Sequence, residues 1–463
     1  MQTYKLLITL IISFSIILAE AAEAAPIKDL RTSVSEGRVR FVLDSSAPIA
    51  YKADRDGNTL KIELPASSSK KMQPEVKDNF IKKVKLMPDG RNKSKLEITL
   101  AKDLQYKVYQ LTNPHRLVID VFRINIIKKT ETIARGVKYT YIQDEINGRQ
   151  LQAYLLSVDK NAPYELRPFS AAGTYNGRGL VSKAADKLDL PAAVNASYFD
   201  SDGWVIGTAK DNNNIFAADY TPRSGYVAGD KHKQIVKDLH YTGKLTLANN
   251  YVMYIKGMNR ARINDDLVLY NEYYAPSTKT NEWGYEIKLK NNRVIAVSPK
   301  GNMSIEPGTM VISGHGKSAV ALSYVRVGDK IRLEESAGNQ LADASSIVLS
   351  GGPLLLEDGK INVRTAEENI AGDIAKGRAP RTAVGLKKDG TLLILVVDGR
   401  NKDSAGLTLT ELAQYFLRLG ARDAVNFDGG GSSVMVVKGK VVNKPSDGRE
   451  RAVSIGAGLF PKY

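Results

Sequence analysis

The sequence predicts an α+β protein, with a small all-β N-terminal domain followed by a larger mixed α/β catalytic domain that has a β-rich middle section. Three observations predict this. Residues 28–125 carry short runs in which apolar and polar side chains alternate, the pattern of half-buried strands. Near the C-terminus a continuous apolar run, 392–397, and a second strand segment, 424–427, flank one stretch of helical periodicity, which reads as a β-α-β unit. Between these regions, 210–340 is punctuated by Asn and Gly among short apolar runs, as connected strands would be.

Size and composition set the outer bounds. A chain of 463 residues exceeds one ordinary core, so more than one domain is expected. With 43% hydrophobic and 25% charged residues it is globular, not disordered. There is no cysteine, which removes disulfides and thiolate metal sites from consideration.

In chain order, residues 1–25 read as a signal peptide. Lys5 supplies the positive start, 6–19 an apolar stretch, and the Ala-Glu-Ala-Ala-Glu-Ala-Ala run small-residue cleavage sites. The apolar stretch is shorter than the roughly 18 residues a membrane-spanning helix needs, so a secreted, envelope-associated protein is expected. The net charge of +16 is spread along the chain. Such a balance suits attraction to anionic wall polymers as well as an ordinary solvated surface. Nucleic acid is not expected, since no recognition motif is present.

The 28–125 domain contains alternating runs at 39–43, 59–64, 96–100, 106–111 and 117–121. Its segments VRFVLDSSAPIAYKA, NTLKIELP and NPHRLVIDVF resemble, in order, the AMIN domain of bacterial envelope proteins. The resemblance implies docking on peptidoglycan or another anionic wall polymer, with no catalytic residue. Residues 126–135, with Lys128 and Lys129, read as a charged linker, and 136–463 as the catalytic domain.

Within that domain 151–158 reads as a strand, and Leu180, Ala184, Ala185 and Leu188 as one face of a short helix halted by Pro191. Ala193-Val194 then leads to Asn195, a turn former or a ligand-facing amide, followed by Tyr198-Phe199. Lys290-Asn291-Asn292 marks a hairpin. His315, between two glycines and without a His-x-His or His-x-x-x-His partner, gives no ordinary zinc site.

The 392–397 run stops at Asp398-Gly399-Arg400. Thr408-Leu409-Thr410-Glu411 is a capping box opening a helix with Leu409, Leu412, Ala413, Phe416 and Leu419 on one face, and Gly420 ends it. The next strand delivers Asp428 to Gly429-Gly430-Gly431-Ser432-Ser433. Ligands in crossover sheets gather outside the carboxyl ends of strands, which makes Asp398 and Asp428 site candidates. Glycines after Asp428 allow positive φ or close approach of a ligand; a tight turn whose Asp binds its own backbone is the plainer reading. Arg381 is a natural phosphate partner, because a guanidinium donates two hydrogen bonds in one plane, or else a structural ion-pair partner, for instance of Asp398.

These residues, in order, resemble the phosphodiester glycosidase family. The resemblance rests on Asn195-Ala196-Ser197-Tyr198-Phe199, Gly351-Gly352-Pro353, Pro380-Arg381-Thr382-Ala383-Val384-Gly385, Asp398-Gly399-Arg400, the run from Gly406 through Asp428 to Ser433, and Arg451. Ala196 stands where the family commonly has Gly. The resemblance implies hydrolysis of a sugar-1-phosphodiester in an envelope or extracellular glycan. Asp428 would then be the reaction-centre carboxylate, Asp398 its acid/base or orienting partner, and Arg381 the phosphate clamp. Asn195, Thr408, Gly429, Gly430, Ser432 and Arg451 would contact substrate. No cofactor is expected and no metal ligand set is assigned; a divalent cation at the Asp-rich loops stays open. A non-catalytic glycan-binding envelope protein is the alternative.

Overall fold

The computed structural model describes residues 26–462 except 36–37, 67, 69, 91, 102–103, 123–126, 148, 175–176, 219–220 and 230–231. The expected signal segment, 1–25, lies outside the described residues. Among the described residues strands account for 50% and helices for 9%, so the expectation of an α+β chain with a mixed α/β catalytic domain is corrected to a nearly all-β architecture of many sheets. The physical reason lies in what covers the strands. A run buried on both faces needs a second layer but not a helical one, and here other sheets supply most of that cover.

The chain divides into two compact units, Met1–Asn125 and Ile126–Tyr463. The first holds two four-stranded antiparallel sheets. One orders Ile27–Val34, Arg38–Ser45, Arg116–Phe122 and Tyr106–Leu111; the other orders Lys52–Asp56, Thr59–Leu64, Ser94–Leu100 and Ile81–Pro88. Side chains alternate strictly in Arg38–Ser45 and Ser94–Leu100, so one face of each strand feeds a core with Phe41, Leu60, Ile62, Ile98 and Ile119. Arg40, which interrupts the apolar run, lies opposite Asp120 across the strand pair and binds it at 2.7 Å.

The second unit is built on an eight-stranded sheet. Its central order is Leu354–Glu357, Ala421–Asn426, Arg381–Lys387, Leu392–Val397, Arg149–Val158 and Val137–Ile146. The expected linker is a strand at its edge: Ile127–Ala134 pairs antiparallel with Val137–Ile146. Its exposed Lys128 and Lys129 suit an edge strand, where charge discourages further pairing.

One face of this sheet packs on the helix Leu409–Arg418 through Leu409, Leu412, Ala413 and Phe416. The opposite face shares a core with strands of two further sheets, among them Val194, Tyr226, Met435 and Ile455. The helix begins as its sequence requires, with both hydrogen bonds of the Thr408/Glu411 capping box present, and Gly420 follows with φ +84°. The β-α-β reading needs one amendment. Leu392–Val397 and Ala421–Asn426 run in the same direction, but Arg381–Lys387 lies between them, antiparallel to both. The inserted strand brings Arg381 to the end where both aspartates emerge.

Residues 242–336 are the β-rich middle, with sheets of three and five strands around Leu245, Leu269, Ile287 and Ile312. Asn291 and Asn292 turn the hairpin there with φ +51° and +60°, as expected for this pair. No described helix is long and apolar enough to cross a membrane.

Candidate active site

Strand register assembles the site. Arg381 is the first residue of its strand and pairs with Val397, immediately before Asp398. On the other side Ala383 pairs with Asn426, two residues before Asp428. Asn195 ends a strand of a second sheet, Ala192–Asn195, and links the two sheets. Its Nδ2 donates to the Asp428 carbonyl at 2.6 Å. Its Oδ1 accepts from Thr382 Oγ1 at 2.7 Å and from the Val434 amide at 3.1 Å. The Asp428 amide donates to the Ala196 carbonyl at 2.8 Å. The backbone of Asp428 is thus held at both ends by the Asn195-Ala196 turn.

The triple-glycine turn follows from local space. The Gly430 amide donates to the Pro380 carbonyl at 2.9 Å from a φ of +59°, a conformation most side chains avoid. A Cβ on Gly431 would collide with the guanidinium of Arg451 and the carboxylate of Asp447. Those two pair above it, Nη2 to Oδ2 at 2.7 Å.

The Asp428 side chain contrasts with its well-bound backbone. Burial pushes its carboxyl up to about 6, against the opposing pull of the Ser432 hydroxyl, the Gly429 amide and the Arg451 charge. The Ser432 hydroxyl stands near enough to act on Asp428, yet it lies outside full hydrogen-bond geometry and has no protein partner. The neighbouring Ser433 hydroxyl is likewise buried without a partner. Unserved buried polar atoms beside a perturbed carboxyl are the usual mark of a ligand site rather than of a packed core.

Arg381 is 2% exposed. Its Nε donates to the Leu407 carbonyl at 2.9 Å, and its Nη2 to the Ile374 and Gly377 carbonyls at 3.1 and 2.6 Å. No carboxylate stands within ion-pair distance of it among the described residues, so the expected structural alternative, a pair with Asp398, is not formed. Burial and the nearby Arg400 charge weaken its hold on its proton, but a guanidinium stays charged at any physiological pH. Arg400 is exposed, has φ +60°, and directs its guanidinium toward Gly430. A left-handed non-glycine residue is worth noting beside a site.

Asp398 occupies different surroundings. It is fully buried and accepts from Tyr154 Oη at 2.9 Å, the Lys444 amide at 3.0 Å and Asn443 Nδ2 at 3.3 Å. Asn443 also donates to the Ser433 carbonyl at 3.0 Å and accepts from the Met435 amide at 2.8 Å. Asp398 therefore lies beneath the loop following Asp428 and braces it. Thr408 is occupied by the helix cap: its Oγ1 accepts from the Glu411 amide at 3.2 Å. Glu411 accepts from the Thr408 amide, Asn147 and Arg378, all structural bonds.

Sequence reasoning passed over several groups here. Tyr198 donates to the Gly352 carbonyl at 2.9 Å and accepts from Asn426 Nδ2 at 2.9 Å. Burial raises its phenol, helped by the Asp428 charge and opposed by Arg381 and Arg223. The Arg223 guanidinium sits 5.7 Å above its ring. Asn426 Oδ1 is buried and unpartnered. The place of Tyr198 in the segment Asn195-Ala196-Ser197-Tyr198-Phe199 is the available signal for it; nothing in the sequence marks Arg223 or Asn443.

Among the described residues no group of three or more His, Asp or Glu side chains could hold a metal ion. The SPbeta prophage-derived uncharacterized protein YomE of Bacillus subtilis (strain 168) is 41% identical over 123 residues, covering 25% of this chain and 19% of its own. N-acetylglucosamine-1-phosphodiester alpha-N-acetylglucosaminidase of Bos taurus is 33% identical over 109 residues, 22% of this chain and 20% of its own. This chain thus spans about a fifth of the length of each of these curated relatives. In fold, it is similar to the crystal structure of a hypothetical protein from Synechocystis, with TM-score 0.65 and 21% identity over 96% of this chain and 81% of that one. Residues 283–460 match the phosphodiester glycosidase family, and Arg381, Asp398, the triple-glycine turn with Asp428, and Arg451 all fall inside the matched stretch.

Proposed function

We propose that this protein hydrolyses sugar-1-phosphodiesters in envelope or extracellular glycans, with Asp428 at the reaction centre. The observation that carries the reading is a buried carboxyl, pushed up to about 6 by its burial, at the same end of the sheet as a buried guanidinium that has no carboxylate partner among the described residues. A carboxyl near neutrality is suited to moving a proton at physiological pH. A desolvated cation whose partners among the described residues are carbonyls retains its charge for an anion, and phosphate oxygens match its planar donors.

In the reaction, the bond between the anomeric carbon and the phosphate oxygen breaks and its electron pair leaves with the phosphate monoester. Water attacks the anomeric carbon and loses its proton to Asp428, yielding the free sugar. The sugar passes through an oxocarbenium-like state that a nearby carboxylate stabilises. Arg381, with Arg400 and Arg451 nearby, offsets the charge gathering on the departing phosphate. Asn195 acts by fixing the Asp428 backbone, and Asp398 by bracing the following loop. Ser432 supplies a polar contact to substrate and the side-chain-free Gly429-Gly430 turn leaves room for its approach, while Thr408 acts through the helix start.

The apolar 6–19 stretch supports an extracytoplasmic location. The resemblance of 28–125 to the AMIN domain supports docking on peptidoglycan or another anionic wall polymer, as does the +16 charge.

The deciding experiment uses methyl N-acetylglucosamine-1-phosphodiester and related sugar-1-phosphodiesters in isotope-labelled water. Release of reducing sugar carrying the label, abolished in Asp428→Asn, is the expected result. Label in phosphate would mean cleavage on the other side of the oxygen, and no release from any of them would remove the hydrolase reading.

A further inference from the structure

A cavity of about 260 Å³ lies outside the set of residues described above. One wall is Asp200 with Trp204, Val205 and Ile206, from the hairpin in which Ile206 is the direct cross-strand partner of Tyr198. Because Tyr198 also reaches Asn426 and Gly352, the cavity and the Asp428 loop share this hairpin. The remaining walls come from the strand Asn214–Ala217 and from residues 256–260.

The lining is pre-organised. The Trp204 indole stacks on Tyr274 with ring centroids 5.3 Å apart and planes within 11°, which fixes its attitude while leaving it half-buried. Phe216 and Met258 add buried apolar surface. Asp200 is fixed through one oxygen, Oδ1, which accepts from the amides of Asp202 at 3.0 Å and Trp204 at 2.8 Å. Its Oδ2 has no partner among the described residues.

The cations at the rim argue against an anionic ligand. Arg260 is already paired with Asp266 at 2.7 Å and donates to the Lys256 carbonyl, and Lys256 Nζ donates to the Asp265 carbonyl at 2.6 Å. What the cavity presents is a flat aromatic face, an apolar floor and one fixed carboxylate oxygen. This combination matches a neutral pyranose, which has an apolar ring face and hydroxyl donors at its edge, and a pocket that sets an aromatic face beside a few fixed polar groups, here with Asn259 also in the lining, suits such a ligand.

We infer that this cavity is a second sugar subsite that takes a neutral pyranose unit of the glycan adjoining the phosphodiester, with Trp204 as its stacking face and Asp200 Oδ2 accepting from its hydroxyls. The link to hydrolysis rests on the function proposed above; the binding does not.

The chain has two tryptophans, and Trp283 is 69% exposed, so Trp283→Phe makes Trp204 the sole indole reporter. Titration of this full-length variant with tetrasaccharides of N-acetylglucosamine, glucose, mannose and galactose should give a saturable change in Trp204 emission with at least one of them, weakened about tenfold by Asp200→Asn, a change that keeps the turn-holding Oδ1. In parallel, Trp204→Phe and Trp204→Ala should each lower the ratio of kcat/KM for a tetrasaccharide-bearing phosphodiester over a monosaccharide one, by about tenfold for Ala. Saturable emission changes without any hydrolysis would sustain the subsite and sink the proposed function. Hydrolysis with no emission change from any tetrasaccharide, and an unaltered ratio in both variants, would overturn the subsite alone.

Discussion

Asp398 and Asp428 occupy equivalent places, each just past the carboxyl end of one of two strands that run in the same direction and flank Arg381–Lys387. Their surroundings are opposite. Around Asp398, three donors bind the carboxylate itself, its amide donates to the Gln152 carbonyl at 3.0 Å, and its carbonyl accepts from Ser404 Oγ at 2.7 Å. Around Asp428 the backbone is equally well bound, but the carboxyl has only the Gly429 amide, the marginal Ser432 hydroxyl and the distant Arg451 charge against its burial. Burial raises both carboxyls above their usual range. The difference is that Asp398 is enclosed by protein donors, whereas Asp428 leaves hydrogen-bonding capacity for something else. A strand-end Asp-Gly therefore marks a place where a carboxylate is positioned; the donors that arrive from elsewhere decide whether it braces or reacts.

The sharpest break in the comparison is Asp428→Asn. Hydrolysis should fall about 1,000-fold, within the range of acid-base contributions, while the fold becomes more stable at neutral pH. The sign follows from the raised carboxyl. The folded form holds the proton more tightly than the unfolded chain, so the favourable contribution of the protonated acid is complete below about pH 4 and is lost as pH rises through about 6. Replacement by the uncharged amide removes that loss, on the order of 3 kcal/mol. Thermal melts at pH 4 should show little difference between the two proteins, and melts at pH 8 a higher Tm for the variant. Equal destabilisation at both pH values would mean that Asp428 is structural, as Asp398 is.

Arg381→Lys comes next. A lysine keeps a positive charge but cannot reproduce the planar donor set engaged with the Leu407, Ile374 and Gly377 carbonyls while leaving Nη1 for a phosphate. Activity should drop about 100-fold, mostly in kcat/KM, and added inorganic phosphate should inhibit the variant less than the parent. An unchanged inhibition constant would detach Arg381 from anion binding.

How far these residues were legible in the sequence follows from the same contrast. The Thr408/Glu411 box, Gly420 and the Asn291-Asn292 hairpin were readable because their causes are local: each is a side chain or φ value acting within four residues. The juxtaposition of Arg381 with both aspartates was readable only as motif order, since it depends on a strand inserted between two parallel ones. The mixed α/β architecture was misread because the run 392–397 shows burial on two faces without showing that one of those faces is covered by sheets. Tyr154, Asn443 and Lys444 decide the character of Asp398, yet they lie 244, 45 and 46 residues away, and no local pattern announces them. The substrate contacts of Asn195 and Thr408 are what the family resemblance implies; in the structure the Asn195 side chain bonds Asp428 and Thr382 and the Thr408 hydroxyl caps the helix, partners that motif order does not announce.

Asp398→Asn should have a smaller effect on activity and the reverse effect on stability. An amide nitrogen placed among the Tyr154, Asn443 and Lys444 donors leaves one of them facing a donor, which costs about 1–3 kcal/mol. Activity should fall about tenfold through displacement of the loop that Asn443 ties to Ser433. The titration of kcat/KM near pH 6, belonging to Asp428, should stay in place. Movement of that titration by a full pH unit would assign the acid-base role to Asp398 or to both carboxyls jointly.

The smallest effect belongs to Asp447, whose pair with Arg451 lies over Gly431. Both partners are substantially exposed, at 44% and 34% of their side-chain surfaces, so the pair adds at most about 1 kcal/mol and Asp447→Asn should barely move the Tm. What changes is the freedom of Arg451, which contributes to the field on Asp428. In the parent the Asp447 charge partly cancels that field; with an amide there, the Asp428 carboxyl ionises more readily and its titration in kcat/KM moves to lower pH by a few tenths of a unit. The rate at the optimum changes two- to threefold at most, because an exposed charge is screened by salt, and the shift should shrink as ionic strength rises. A displaced titration that ignores salt would mean that Asp447 acts on Asp428 through loop position instead of charge, making the turn around Gly431 as rigidly coupled to the reaction centre as the loop braced by Asp398.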